Sequence, residues 1–159
     1  MAAADSVKLM LTGDLMLGRG IDQILQHRCA PGLFEDCVHD AREYVRLAEG
    51  VHGPIAAPVA PGYVWGDALA EIEAAAPDLR IVNLETAVTT HNDAWPAKGI
   101  HYRMHPANVD CLAAARIDAC ALANNHVLDW GRQGLQETLR VLRHAGLQVA
   151  GAGADGDEA

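Results

Sequence analysis

The stretch from residue 118 to residue 126 reads DACALANNH, a largely apolar run that stops at two asparagines and a histidine. Its length is that of a buried strand, and the polar residues begin the loop that follows. Residues 7–12 have the same form and are followed by Gly13-Asp14. Residues 80–84 are followed by Glu85-Thr86. Each of the three runs therefore predicts a buried strand that ends in polar residues.

Helical patterns alternate with these strands along the chain. Apolar spacing with start and stop signals predicts helices at 19–26, 40–49, 67–76, 106–115 and 130–145, and a fourth strand at 147–150. Residues 50–62 contain three prolines and three glycines, which excludes a regular element there. Such an alternation is typical of a largely parallel sheet with helices packed on it. The predicted fold class is α/β, in a single domain over residues 1–159.

Composition excludes several classes of protein. Half of the 159 residues are apolar and 21% are charged, which excludes a disordered chain, a collagen-like chain and a coiled coil. No stretch offers the roughly 18 consecutive apolar residues of a transmembrane helix. The start, MAAADSVK, lacks the basic and apolar regions of a signal peptide. We therefore expect a cytoplasmic protein with no membrane segment in this chain.

The chain is acidic, with a net charge of −9. Because such a chain repels a phosphate backbone, we expect no nucleic-acid partner. The charge fits both an acidic site that recruits divalent cations and plain solubility. The four cysteines form no zinc-type grouping, and we interpret them as reduced thiols, two of them in the core.

The polar strand ends are the candidate site. In a parallel sheet the carboxyl ends of the strands share one edge, where ligands bind, so Asp14, Glu85 and Asn125 are expected to converge there with His126 and Asp129. Carboxylate and amide oxygens suit hard divalent cations, and imidazole suits Mn, Fe or Zn. Such a site could polarise a phosphate and activate a water. Alternatively, Asp14 and Asn125 cap the helices that follow them.

Three motifs carry a family resemblance. They are GDLMLGR at 13–19, NLET at 83–86 and NNHVLDWG at 124–131, in that order. Together they resemble the N-terminal signatures of the CapA-type proteins of poly-γ-glutamate capsule synthesis, a family similar to the calcineurin-like metallophosphoesterases. The resemblance covers residues 7–153. It implies a metallophosphoesterase-like α-β-β-α sandwich, of which this chain is expected to supply the N-terminal half with a mostly parallel sheet.

The resemblance also implies roles for individual residues. Asp14 matches a ligand of the first metal, Glu85 the carboxylate that bridges two metals, and Asn125 a ligand of the second metal. His126 matches the histidine that protonates or stabilises the leaving group, and Asp129 could orient it. The implied cofactors are divalent ions such as Mn, Fe or Zn.

The chain departs from the metallophosphoesterase pattern at one ligand and lacks others. Met16 stands where those enzymes have a histidine, and a thioether binds hard cations poorly. The later histidine motifs are expected beyond residue 159. The 159-residue chain is therefore expected to bind metal weakly, if at all, and to have little or no hydrolytic activity. Missing C-terminal strands would leave an exposed sheet edge, so the chain is also expected to self-associate.

Two arginines are candidates for substrate contact. Arg19 follows Asp14 closely and could contact an anionic substrate or pair with an acid. Arg103 lies in a loop after Glu85, where it could line the site or simply pack in the loop.

Two functions remain open for the whole protein. The first is a capsule-biosynthesis protein with a metal-dependent phosphoesterase-type site, acting by hydrolysis or transfer at a phosphate-like group of an anionic small molecule or polymer. The second is a non-catalytic component that binds the polymer or assists its export. The Asn-His-x-x-Asp sequence at 125–129 favours the first function, and Met16 favours the second.

Overall fold

Two parallel sheets organise the computed structural model, which describes residues 6–159. The strands are β1 (Leu9–Leu15), β2 (Leu79–Leu84), β3 (Ala87–Val88), β4 (Arg103–Met104), β5 (Ala119–Ala121) and β6 (Gln148–Ala150). The larger sheet has the order β1-β2-β5-β6, and β3 pairs with β4 in the smaller one. All of these pairs are parallel. The predicted α/β class with a mostly parallel sheet is confirmed.

Within residues 6–159, five α-helices connect the strands. They are α1 (Arg19–Ile24), α2 (Arg42–His52), α3 (Ala68–Ala75), α4 (Asp110–Ala114) and α5 (Gly131–His144), with 3-10 turns at Pro61–Trp65 and Pro106–Asn108. Each predicted helix has a counterpart, but the one expected at 106–115 is divided between a 3-10 turn and α4. None of the helices in the described part of the chain has the length and hydropathy needed to cross a bilayer.

The core lies on one face of the larger sheet. Val82 of β2 and Cys120 of β5 are paired in register and buried, and they pack with the apolar stripe of α5 that includes Leu139 and Leu142. Cys111 of α4 is buried in the same cluster. All four cysteines are free, and the expectation that two of them lie in the core is confirmed by Cys111 and Cys120.

The opposite face of the sheet is apolar and exposed. Leu9 and Leu11 of β1 point to this side with Leu79 of β2, and all three side chains are exposed. Right-handed crossovers along the strand order place the connecting helices on the other side. The prediction that β1 is a buried strand is therefore wrong, because β1 lies at the edge of the sheet with one face uncovered.

The smaller sheet was not predicted from the sequence. β3 begins two residues after Glu85, and β4 lies just before the 3-10 turn at Pro106–Asn108. Thr138 of α5 fixes β3, because its hydroxyl accepts a hydrogen bond from the Val88 amide at 2.9 Å. The chain between β3 and β4 passes over the carboxyl edge of the larger sheet, where it contacts the turn after β5.

Candidate functional site

Two carboxylates meet at the carboxyl ends of β1 and β2. Asp14 is paired in register with Asn83, beyond an irregularity in the pairing after Leu11. The Asn83 side-chain amide donates to Asp14 Oδ1 at 2.7 Å and to Glu85 Oε2 at 3.1 Å. The structure thus brings together the two carboxylates that the sequence placed at separate strand ends.

This proximity changes the acidity of both groups. The hydrogen bond from Asn83 lowers the pKa of Asp14. Partial burial, together with the neighbouring Asp14 carboxyl group, raises the pKa of Glu85. Two carboxylates this close disfavour each other's ionisation, and a bound cation would relieve that repulsion.

Asn124 links the carboxylate pair to the turn after β5. Its side-chain nitrogen donates to Asn83 Oδ1 at 3.0 Å and to the Leu84 carbonyl at 3.1 Å. Its side-chain oxygen accepts from the backbone amide of His126 at 3.0 Å. Asn83 and Asn124 were assigned no role from the sequence, although both lie within the motifs that carry the family resemblance.

His126 and Asp129 form a buried pair in that turn. His126 Nδ1 lies 2.7 Å from Asp129 Oδ2, and His126 Nε2 lies 3.6 Å from Glu85 Oε1. A carboxylate on one ring nitrogen fixes the tautomer and orientation of an imidazole. Asp129 therefore holds His126 with Nε2 directed towards the carboxylate pair, as the sequence suggested.

Asn125 stands at the exposed side of the same turn. Its side chain is exposed, and its backbone carbonyl accepts from Lys98 Nζ. Neither Asp14 nor Asn125 caps a helix, because α1 and α5 are preceded by Gly18 and Trp130. The capping alternative is therefore wrong for both residues.

Arg19 pairs with an acid, the second of its two expected environments. Its Nε lies 2.7 Å from Glu35 Oε1, and its guanidinium carbon lies 5.2 Å from the centroid of the Tyr44 ring and 4.8 Å from that of the Tyr102 ring. The Tyr102 ring in turn stacks on His126, with centroids 4.0 Å apart. Arg19 thus reaches the site through Tyr102, and its contact with a substrate stays a prediction.

Arg103 begins β4 instead of lying in a loop, and its side chain is buried. Its side chain contacts the His91 carbonyl and lies 2.7 Å from Asn92 Oδ1. Its guanidinium also lies 3.9 Å from the centroid of the Trp130 ring. With only 7% of its surface exposed, Arg103 fits packing inside the protein better than contact with a substrate.

The side-chain oxygens of Asp14, Glu85 and Asn125 are suitable ligands for a hard cation, but they are few. Among residues 6–159, no group of three or more His, Cys, Asp and Glu side chains is arranged to hold a metal ion. The carboxylates of Asp14 and Glu85 nevertheless converge on one amide hydrogen-bond donor. No contact joins the Asn125 side chain to either carboxylate among the described residues, and that side chain is exposed in the turn after β5. Oxygen donors of this kind are those that hard divalent cations prefer. Met16 contributes no such donor, and its Sδ accepts from the Gly18 amide at 3.0 Å.

Comparisons with known proteins cover almost the whole chain. The family described as "Bacterial capsule synthesis protein PGA_cap" matches residues 8–159. In two strains of Mycobacterium tuberculosis, a "Probable polyglutamine synthesis accessory protein" is 52% identical over 151 residues, which are 95% of this chain and 40% of the relative. The "PGA biosynthesis protein CapA" of Bacillus subtilis is 27% identical over 150 residues, 94% of this chain and 31% of the relative.

The chain spans less than half the length of these curated relatives. The family match confirms the resemblance to CapA-type proteins that the strand-end motifs indicated. Because the match extends over nearly every described residue, the chain belongs to the bacterial capsule synthesis protein family PGA_cap.

Proposed function

We propose that this chain supplies part of a metal-dependent phosphoesterase-type site in a protein of poly-γ-glutamate capsule synthesis. The observation that carries the proposal is the meeting of Asp14 and Glu85 on one amide, beside the buried His126–Asp129 pair. The names of the relatives, which refer to polyglutamine synthesis and PGA biosynthesis, support the capsule role. The activity of the whole protein is part of the proposal.

Asp14, Glu85 and Asn125 are the residues that would hold a divalent ion such as Mn, Fe or Zn. When bound, such an ion polarises a phosphate-like group and lowers the pKa of a water. The chain's own contribution is to keep the two carboxylates together through Asn83, at the carboxyl ends of β1 and β2.

His126 is suited to proton transfer at this edge. Asp129 occupies its Nδ1, which leaves Nε2 as the atom that would deliver a proton to a leaving group. The Tyr102 ring covers one face of His126 and limits the directions from which its Nε2 is reached.

The proposal predicts a weak site for Mn²⁺ that depends on the carboxylate pair. Mn²⁺ would be titrated into the wild type and into an Asp14→Ala/Glu85→Ala double variant. The EPR signal of free Mn²⁺ gives the amount of ion that each protein leaves unbound. A Glu43→Ala/Glu71→Ala variant is the matched control, because it removes two exposed carboxylates from α2 and α3. We expect the wild type and the control to bind equally and the site variant to bind much more weakly. Equal binding by all three proteins would refute the metal site.

A second function is favoured by Met16, which stands where metallophosphoesterases have a histidine ligand. In that case the chain binds capsule polymer without catalysis. The two functions differ in their need for metal, so poly-γ-glutamate binding would be measured by calorimetry with Mn²⁺ and then with EDTA. Binding that persists in EDTA and in the Asp14→Ala/Glu85→Ala variant would favour the polymer-binding function. Binding that requires Mn²⁺ and both carboxylates would favour the metal site.

A further inference from the structure

The segment from residue 95 to residue 102 wraps around the turn that carries His126. At one end, the Trp95 amide donates to the Asp129 carbonyl at 2.8 Å. At the other end, the Tyr102 amide donates to Asp129 Oδ2 at 2.6 Å, and Trp130 Nε1 donates to the Tyr102 carbonyl at 3.0 Å. The segment therefore holds this turn from both sides.

Lys98 lies in the middle of the segment and joins two parts of the turn. Its ammonium group pairs with Asp129 Oδ1 and also donates to the Asn125 backbone carbonyl. The Asp129 side chain is fully buried, whereas that of Lys98 is about a quarter exposed. In the described part of the chain, Lys98 is the one Lys or Arg paired with Asp129.

A buried carboxylate without a compensating charge is costly, so Asp129 depends on its partners. Two of them, the Tyr102 amide and His126 Nδ1, share Oδ2, and Lys98 alone satisfies Oδ1. Without the ammonium group, the carboxylate would be free to turn and would hold the imidazole less firmly. The backbone of Asn125 would lose its support at the same time.

We propose that Lys98 is a positioning residue that sets the orientation of Asn125 and His126 together. The roles of those two residues rest on the proposed function, but the contacts of Lys98 do not. Lys98 is thus a single cation that links Asn125, which would face the metal, to the Asp129 that holds His126, which would move the proton. No sequence pattern marked Lys98, because its acidic partner lies 31 residues further along the chain.

The test follows the His126 Nδ1 proton by NMR at one fixed pH, in EDTA, so that it depends on neither metal nor activity. A His126→Asn variant assigns the resonance. Lys98→Met removes the charge and keeps an apolar stem, Lys98→Gln keeps one donor group, and Lys98→Arg restores the cation. Arg46→Met is the matched control, because it removes an exposed positive charge on α2.

We expect a sharp downfield resonance in the wild type, Arg46→Met and Lys98→Arg, and its loss or broadening in Lys98→Met. In Lys98→Gln, the resonance should be weaker than in the wild type and stronger than in Lys98→Met. If Lys98→Met does not fold, Lys98→Gln takes its place, and its backbone amide spectrum shows whether that variant is folded. A resonance unchanged in Lys98→Met and Lys98→Gln would overturn the proposal, as would its absence from the wild type. The expected pattern together with no Mn²⁺ binding would overturn the proposed metal site and leave the role of Lys98 in place.

Discussion

Gly18 occupies the closest approach between the β1–α1 turn and β4. A Cβ atom added there would lie 2.9 Å from the Arg103 carbonyl oxygen and 3.0 Å from its nitrogen. Both are backbone atoms, so the chain must separate to make room. We expect Gly18→Ala to destabilise the fold by about 1–3 kcal/mol, as other overpacked sites do.

Gly13→Ala is the control for this variant, because Gly13 lies in the same segment and an added Cβ there meets no atom within 4 Å. Urea unfolding followed by circular dichroism gives the free energy of each protein. Equal stabilities for the two alanine variants would show that the approach at Gly18 is looser than described.

Individual site residues differed in how far the sequence predicted them. Asp14 and Glu85 could be placed at the site because each ends a recognisable apolar run, and parallel strands bring such ends to one edge. His126 and Asp129 could be paired because they lie on one turn. The contact of Lys98 with that turn could not be predicted, since it depends on the path of a loop that has no periodicity.

At the scale of elements, Thr138 joins α5 to β3. Its hydroxyl accepts from the Val88 amide at 2.9 Å and donates to the Gly134 carbonyl at 2.8 Å. Thr138→Val keeps the shape but leaves the buried Val88 amide without its acceptor. We expect a loss of about 1–3 kcal/mol in the free energy of unfolding. Thr138→Ser retains the hydroxyl and should lose less free energy of unfolding than Thr138→Val. Guanidinium unfolding measures both variants, and a Thr138→Val protein at least as stable as Thr138→Ser would show that the hydrogen bond is unimportant.

The start of α2 carries a pH-sensitive pair. Hydrogen bonds from Arg42 lower the pKa of Asp40 from its ordinary value of 3.8 to about 2. Because the pKa is lower in the folded state, the pair stabilises the fold above the ordinary pKa. That contribution is lost as the pH falls through about 2.

We expect Arg42→Gln to return the pKa of Asp40 towards its ordinary value, as measured by the carboxyl carbon shift during an NMR titration. Arg46→Gln should change it less, because Arg46 makes a smaller contribution through charge alone. A titration of Asp40 that is the same in all three proteins would contradict the pairing.

Helices and strands could be predicted where an apolar pattern repeats over several helical turns or an apolar run is as long as a strand. The apolar stripe of α5 and the run that forms β2 are of this kind. β3 and β4 have two residues each, which is too short for a period-two pattern to appear. The exposure of β1 was missed for a different reason, since an apolar run does not show what lies over each face of the strand.

At the scale of the whole molecule, the described residues leave one face of the larger sheet exposed along β1. Leu9, Leu11 and Leu79 form an exposed apolar strip there, next to the unpaired edge of β1. Native sheets cover such faces and edges, because they otherwise associate with other chains. The expected self-association therefore has two structural sources, the open edge and the apolar face.

We expect the 159-residue chain to form dimers or larger species as its concentration rises, measured by light scattering after size exclusion. Salt near 0.15 M would screen the repulsion between copies that each carry a net charge of −9. Leu11→Lys should shift the population towards monomer, since it places a charge on the strip. Leu47→Lys on α2 is the control, with 63% exposure against 69% for Leu11. A wild type that stays monomeric at every concentration, or equal effects of the two variants, would show that this face does not drive association.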